Sequence, residues 1–160
     1  MACGGRESTF KDFKIAHANS RGTFVAMIVD SEDPVADINK TWNHLAGRDK
    51  WNQPDGAHDE QVFLMTTCME TWIVADRQTL AAHYGDKLQQ SALPSATGLE
   101  VRPREAVQEA LVHATRACAN AYRKGKRSFE ILGKVNPEAI ESHLPSFARM
   151  KAALGRRFSA

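Results

Sequence analysis

Cysteine is scarce in this chain: three residues in 160, Cys3, Cys68 and Cys118, far apart and without metal-ligand spacing. That excludes a disulfide framework and a zinc site, and the three are expected to be reduced thiols of a cytosolic protein. No apolar run is long enough to span a bilayer. Residues 1–6, MACGGR, are polar and glycine-containing, so no signal peptide is expected. There is no internal repeat and no low-complexity segment. Charge of one sign is also lacking: the net charge is +2, which does not by itself imply nucleic acid. What remains is an ordinary globular composition, 42% apolar and 25% charged, in a length that suits one domain spanning 1–160 with a real core.

The most informative stretch is 24–33, FVAMIVDSED. Six consecutive apolar residues predict a strand at 24–29 covered on both faces, as in a parallel sheet. It runs into Asp30, Ser31, Glu32 and Asp33. Open α/β sheets bind ligands outside the carboxyl ends of their strands. In an extended chain Asp30 and Glu32 point the same way and repel unless a cation sits between them; Mg²⁺ suits such a pair. Asp33 has a simpler reading, as the cap of a helix over 34–46 that starts at Pro34.

A second strand is predicted at 61–67, QVFLMTT, again ending against an acid, Glu70. Glu70 lies in the first turn of a helix, where the macrodipole alone favours a carboxylate. At the same end of a strand parallel to the first, it becomes a candidate ligand beside Asp30 and Glu32. Asp76 falls on the Met69, Trp72, Ile73 face and has two readings, a site residue or the cap of a helix over 77–84.

Elsewhere, Gly4 and Gly5 read either as a plain turn or as an anion cradle assisted by Arg6. Ser8 is a candidate cap for a helix over 9–18. Residues 47–60 read as a polar loop in which Trp51 is either a recognition aromatic or a pin that fixes the loop to the core. Pro103 opens a helical C-terminal part, with a first helix to about residue 119 and His113 packed beside its apolar stripe. Arg123, Lys124, Lys126 and Arg127 surround Gly125, followed by Ser128 as a candidate cap. Such a cluster is either a solvated loop or a set of phosphate-neutralising cations. Further helices start near Asn136-Pro137 and at Pro145.

Four blocks in order, ACGGR with its Phe-rich helix, VDSEDPV, LMTTCMETWIVADRQTLAAHYG and YRKGKRSFEIL with its Pro-started tail, resemble the DUF4276 family over almost the whole chain. That family is similar to TOPRIM domains, the metal-binding fold of topoisomerases, primases and OLD-type nucleases, and is often encoded beside an ABC- or AAA-type ATPase in contexts resembling phage defence. The resemblance implies a three-layer, Rossmann-like α/β core with a small parallel sheet. It implies an Mg²⁺- or Mn²⁺-dependent nuclease-like effector acting on nucleic acid, or a non-catalytic subunit docking on the ATPase. Carried over by position, Asp30 and Glu32 match the family's Asp-x-Asp, Glu70 and Asp76 its second acidic block, and Lys124 and Ser128 its late Lys-Gly and Ser. Asp30, Glu32, Glu70 and Lys124 would then be catalytic. Asp30, Glu32, Glu70 and Asp76 would hold metal, and Gly4, Gly5, Arg6, Lys124 and Ser128 would take phosphate. Family members open with a strand ending in Val-Glu-Gly; this sequence lacks it, and its first residues resemble the family's second strand.

Overall fold

The structure, a computed structural model, describes residues 4–158. Two strands, β1 (Met27–Asp30) and β2 (Val62–Met65), pair in parallel with Met27 opposite Val62 and Asp30 opposite Met65. The pairing continues past the strands: Ser31 N–H donates to Met65 O at 3.1 Å and Glu32 N–H to Thr67 O at 2.8 Å. Parallel neighbours need a crossover, which here is α2 (Thr41–Asp49) with its flanking loops. Among the described residues these are the only two strands; the other regular elements are helices joined by loops.

The helices divide into two groups around this ribbon. α1 (Arg6–Ala18) and α2 cover one face, where Phe10, Phe13, Trp42, Leu45 and Trp51 close over Met27, Val29, Val62 and Leu64. Trp51 does pin its loop: it stacks on Phe10 at 4.5 Å between centroids, and its indole N–H donates to Glu7. On the other face Phe63 enters a larger core built from α3 (Met69–Ala75), α4 (Arg77–Tyr84), α5 (Arg104–Thr115), α6 (Lys126–Leu132), α7 (Pro137–Glu141) and α8 (Pro145–Phe158). Arg149 of α8 donates to the carbonyls of Val62 and Asp59, sealing the outer edge of β2.

β2 is buried on both faces, as its apolar run requires. β1 is not: Met27 and Val29 are buried, but Ile28 points to the other side and is 45% exposed. The expected strand at 24–29 also begins later, because Phe24 and Val25 are used elsewhere. Phe24 packs on Phe158 and under Arg157, and Val25 O accepts from Gln61.

The expected helix at 34–46 starts only at Thr41. Its N-terminus is capped from a distant segment: Asp59 accepts from Trp42 N–H at 2.9 Å and from the Thr41 hydroxyl at 3.0 Å. Asp33 therefore caps no helix, and it pairs with Arg48 at 2.8 Å instead. α1 starts at Arg6, with Gly5 rather than Ser8 at the cap position. α5 ends at Thr115, short of 119, and His113 is exposed rather than packed. No helix among the described residues is long and apolar enough to cross a membrane.

Candidate functional site

A cleft of about 380 Å³ opens at the carboxyl ends of the two strands. Its walls come from four places in the chain: the turn at Gly4 and Gly5 with Arg6, the end of β1 at Asp30, the start of α3 at Met69 and Glu70, and the turn of Lys124, Gly125 and Ser128. The residues read from the sequence as anion cradle, carboxylates and basic loop thus meet in one place, although they are spread over more than 120 positions.

The two turns have a common device. Gly4 sits at φ +86° and Gly125 at φ +103°, backbone conformations that a β-carbon disfavours. Around Gly125 a β-carbon would meet nothing within 4 Å, so the requirement there is conformational, not steric. Buried Ser128 lies within α6 rather than capping it. Its hydroxyl donates to Gly125 O at 2.7 Å and accepts from Gly125 N–H at 3.1 Å, which locks the turn that presents Lys124.

Asp30 carries the electrostatic character of the cleft. Burial, and next the charge of Glu70, push its carboxyl up to about 6, against a hydrogen bond from Met69 N–H and the charges of Arg6 and Arg104. Its buried Oδ1 has no hydrogen-bond partner among the described residues. A buried carboxylate oxygen in that position takes its partner from outside the protein, as a water or a ligand.

Glu70 is handled in the opposite way. It is 1% exposed, and burial alone would raise its carboxyl. Hydrogen bonds from Tyr122 and Gln108 outweigh that and hold it below the ordinary glutamate value. The Tyr122 hydroxyl donates to Oε1, and Gln108 Nε2 donates to Oε2 at 3.1 Å. Glu70 is therefore a fixed negative charge. The sequence reading missed both donors. Tyr122 is placed by the early end of α5, where the Thr115 hydroxyl oxygen accepts from Tyr122 N–H at 2.9 Å. Gln108 sits between Val107 and Leu111 on the buried side of that helix, a polar residue beside an apolar stripe, and that was its only signal.

Two of the expected ligands stand apart from the cleft. Glu32 turns away from it in a left-handed conformation, φ 69°, and faces three arginines. It pairs with Arg104 and lies 3.9 Å from both Arg6 and Arg48. Leaving the extended conformation after Asp30 breaks the alternation that would have put the two acids side by side. Asp76 caps α4: it accepts from Thr79 N–H at 2.9 Å and from Asn136 N–H at 2.8 Å. Burial would raise its carboxyl, but those bonds prevail and lower it. The capping alternative accounts for Asp76 completely.

Arg6 is held by Asp49 at 2.6 Å and lies over the Trp51 ring, 5.0 Å from its centroid. Its Nη1 is buried and has no partner among the described residues. Cys68, at the start of α3, is pushed up to about 12 by burial and then by Glu70, so it remains a neutral thiol and not a nucleophile.

Two carboxylates line the cleft, Asp30 and Glu70. Among the described residues no group of three or more His, Cys, Asp or Glu side chains is placed to hold a metal ion. Mg²⁺ nevertheless binds through one or two carboxylates, filling its other positions with water and substrate phosphate. Asp30, with its unpartnered oxygen, and Glu70, as a second charge, meet that need. A two-metal centre would require the acids that Arg6, Arg48, Arg104 and the α4 cap have taken.

Fold and site together define an α/β protein with a small parallel sheet and an acidic–basic cleft at its carboxyl edge. The family model described as "Domain of unknown function (DUF4276)" matches residues 7–155, and the chain belongs to that family. No curated protein and no solved structure matches.

Proposed function

We propose that the protein is a TOPRIM-like, Mg²⁺-dependent phosphodiesterase that acts on nucleic acid, as the nuclease-like effector of a system with an ATPase partner. The observation that carries the reading is Asp30: a half-buried carboxylate with one buried, unpartnered oxygen, in a cleft that also presents Arg6 and Lys124. Carboxylate beside guanidinium and ammonium is the pairing needed to gather a cation and a phosphodiester at one point. Bound there, Mg²⁺ would polarise a phosphoryl oxygen and acidify water.

The protein's own groups have separable roles. Asp30 holds the cation side of the cleft through its unpartnered oxygen. Glu70 keeps its charge because Tyr122 and Gln108 fix it, and it raises the local negative potential that a cation relieves. Arg6 and Lys124 face the phosphate and neutralise charge that develops on it. The glycine turns let backbone approach the ligand closely.

A second reading rests on a different observation. Both Glu70 oxygens are already hydrogen-bonded and Glu32 is neutralised by arginines. Such acids also suit a non-catalytic subunit that docks on an ATPase and keeps its carboxylates for structure.

The test is incubation of the protein with plasmid, linear DNA and RNA, with Mg²⁺ or Mn²⁺ and with chelator, alone and with its ATPase partner. Metal-dependent cleavage lost in Asp30→Ala supports the phosphodiesterase. Absence of cleavage in every combination, with a stable complex on the ATPase, establishes the docking subunit.

A further inference from the structure

The charged cleft does not end at its polar residues. It opens into a second, larger groove of about 810 Å³, and the two share Gly4, Thr9, Ile28, Met65 and Phe129 as lining. The second groove runs along β1 on the side that, among the described residues, no helix covers. Its floor is Ile28 and Met65, one wall is α1, and the other is Phe129 of α6. Phe129 is 65% exposed and Ile28 45% exposed, the two large apolar side chains left bare at the junction. Phe129 follows Ser128 directly, and its N–H donates to Gly125 O at 3.2 Å. The Lys124 turn and the Phe129 ring are therefore set by the same short segment.

A ligand that fills both parts must carry an anionic phosphate joined to a flat apolar body a few ångströms away. A nucleotide unit within a strand has that form. Resting on the phosphodiester reading above, we infer that the substrate is single-stranded nucleic acid, with the unpaired base next to the scissile phosphate lying in the apolar groove against Phe129. A base in a duplex has both faces covered by its neighbours and its edge by its partner, so it cannot enter such a groove without being extruded. An unpaired base has a free face for an aromatic ring, and stacking of this kind is tolerant of sequence. Exposed Arg123, Lys126 and Arg127, which flank Lys124 in the chain and precede Phe129, add the positive charge that suits the backbone on either side of that nucleotide. Asp12, which lines the groove but not the cleft, disfavours phosphate there and suits a base amino group.

The test uses Ca²⁺ in place of Mg²⁺ to block cleavage, and fluorescence anisotropy on four labelled probes: single-stranded DNA, single-stranded RNA, duplex DNA, and a fully abasic deoxyribose-phosphate strand of equal length. Single strands should bind about tenfold tighter than the abasic strand or the duplex, the size of one stacked base. Phe129→Ala, an exposed change that leaves the core intact, should lose that advantage on single strands and change nothing on the abasic strand. Lys124→Ala should weaken all probes alike. Equal binding of abasic and intact strands, equal or tighter duplex binding, or a silent Phe129→Ala overturns the inference; the phosphodiester reading then stands if Lys124→Ala still weakens binding. Failure of every probe to bind overturns both. Self-association in sedimentation that Phe129→Ala abolishes, without probe binding, makes the groove an interface between copies of the chain instead.

Discussion

The Tyr122 hydroxyl donates a hydrogen bond to Glu70 across 52 positions of sequence, from the segment after α5 to the first turn of α3. Both groups are buried. Burial and the Glu70 carboxylate push the tyrosine far above its ordinary value, while the same bond keeps the glutamate ionised against its burial. The pair stores a negative charge next to Asp30, and the behaviour of the cleft follows from it.

Removing the donor should therefore be costly in a pH-dependent way. Tyr122→Phe leaves a buried carboxylate oxygen without its partner, a loss of about 1–3 kcal/mol. Glu70 is depressed in the folded state, so its contribution is present above the ordinary glutamate value of 4.5 and fades as pH falls below it. Urea unfolding at pH 7 and pH 4 should show a large gap between wild type and variant at the higher pH and a smaller one at the lower. An equal gap at both would mean that the tyrosine acts through packing alone.

Asp30 should have the opposite signature. Its folded-state carboxyl is raised from the ordinary 3.8 to about 6, so the native state holds a proton that the unfolded chain releases. The stability that this confers is complete below pH 3.8 and is lost as pH rises through 6. Asp30→Asn should gain about 1–3 kcal/mol at pH 7. Near pH 3.5 it should change little, while any cation binding disappears. Thermal unfolding across that pH range, with Mg²⁺ titrated at pH 7, measures both. A variant less stable than wild type at pH 7 would remove the electrostatic strain assigned to the cleft.

Asp76 separates structure from function. Asp76→Ala leaves Thr79 N–H and Asn136 N–H without their acceptor, at a cost of about 1–3 kcal/mol. Since neither contact touches the cleft, Mg²⁺ affinity at a temperature where the variant is folded should match wild type. A tenfold loss of affinity in folded protein would return Asp76 to the site.

Much of this arrangement was legible in the residues themselves. Apolar runs at 24–29 and 61–67 announced two parallel strands, although the first pairs only from Met27 and leaves Ile28 half exposed. The acids after each run, the Gly-Gly turn and the basic segment around Gly125 marked the cleft, because turn chemistry and charge are local properties. The four-block resemblance led to the family that the whole-chain match shows.

The tertiary structure alone decided which acid does what. Asp30 and Glu32 are two positions apart and alike in sequence; a left-handed turn at Glu32 and three arginines, two of them on α2 and α5, assign one to the cleft and the other to an ion-pair cluster. Asp59 caps a helix that starts 18 positions before it, and so displaces the helix expected at Pro34. Tyr122 and Gln108 reach Glu70 only because α5 packs against α3. Hydrogen-bond partners and burial depend on elements far apart in the chain, and no periodicity or composition encodes which of several equivalent carboxylates they will find.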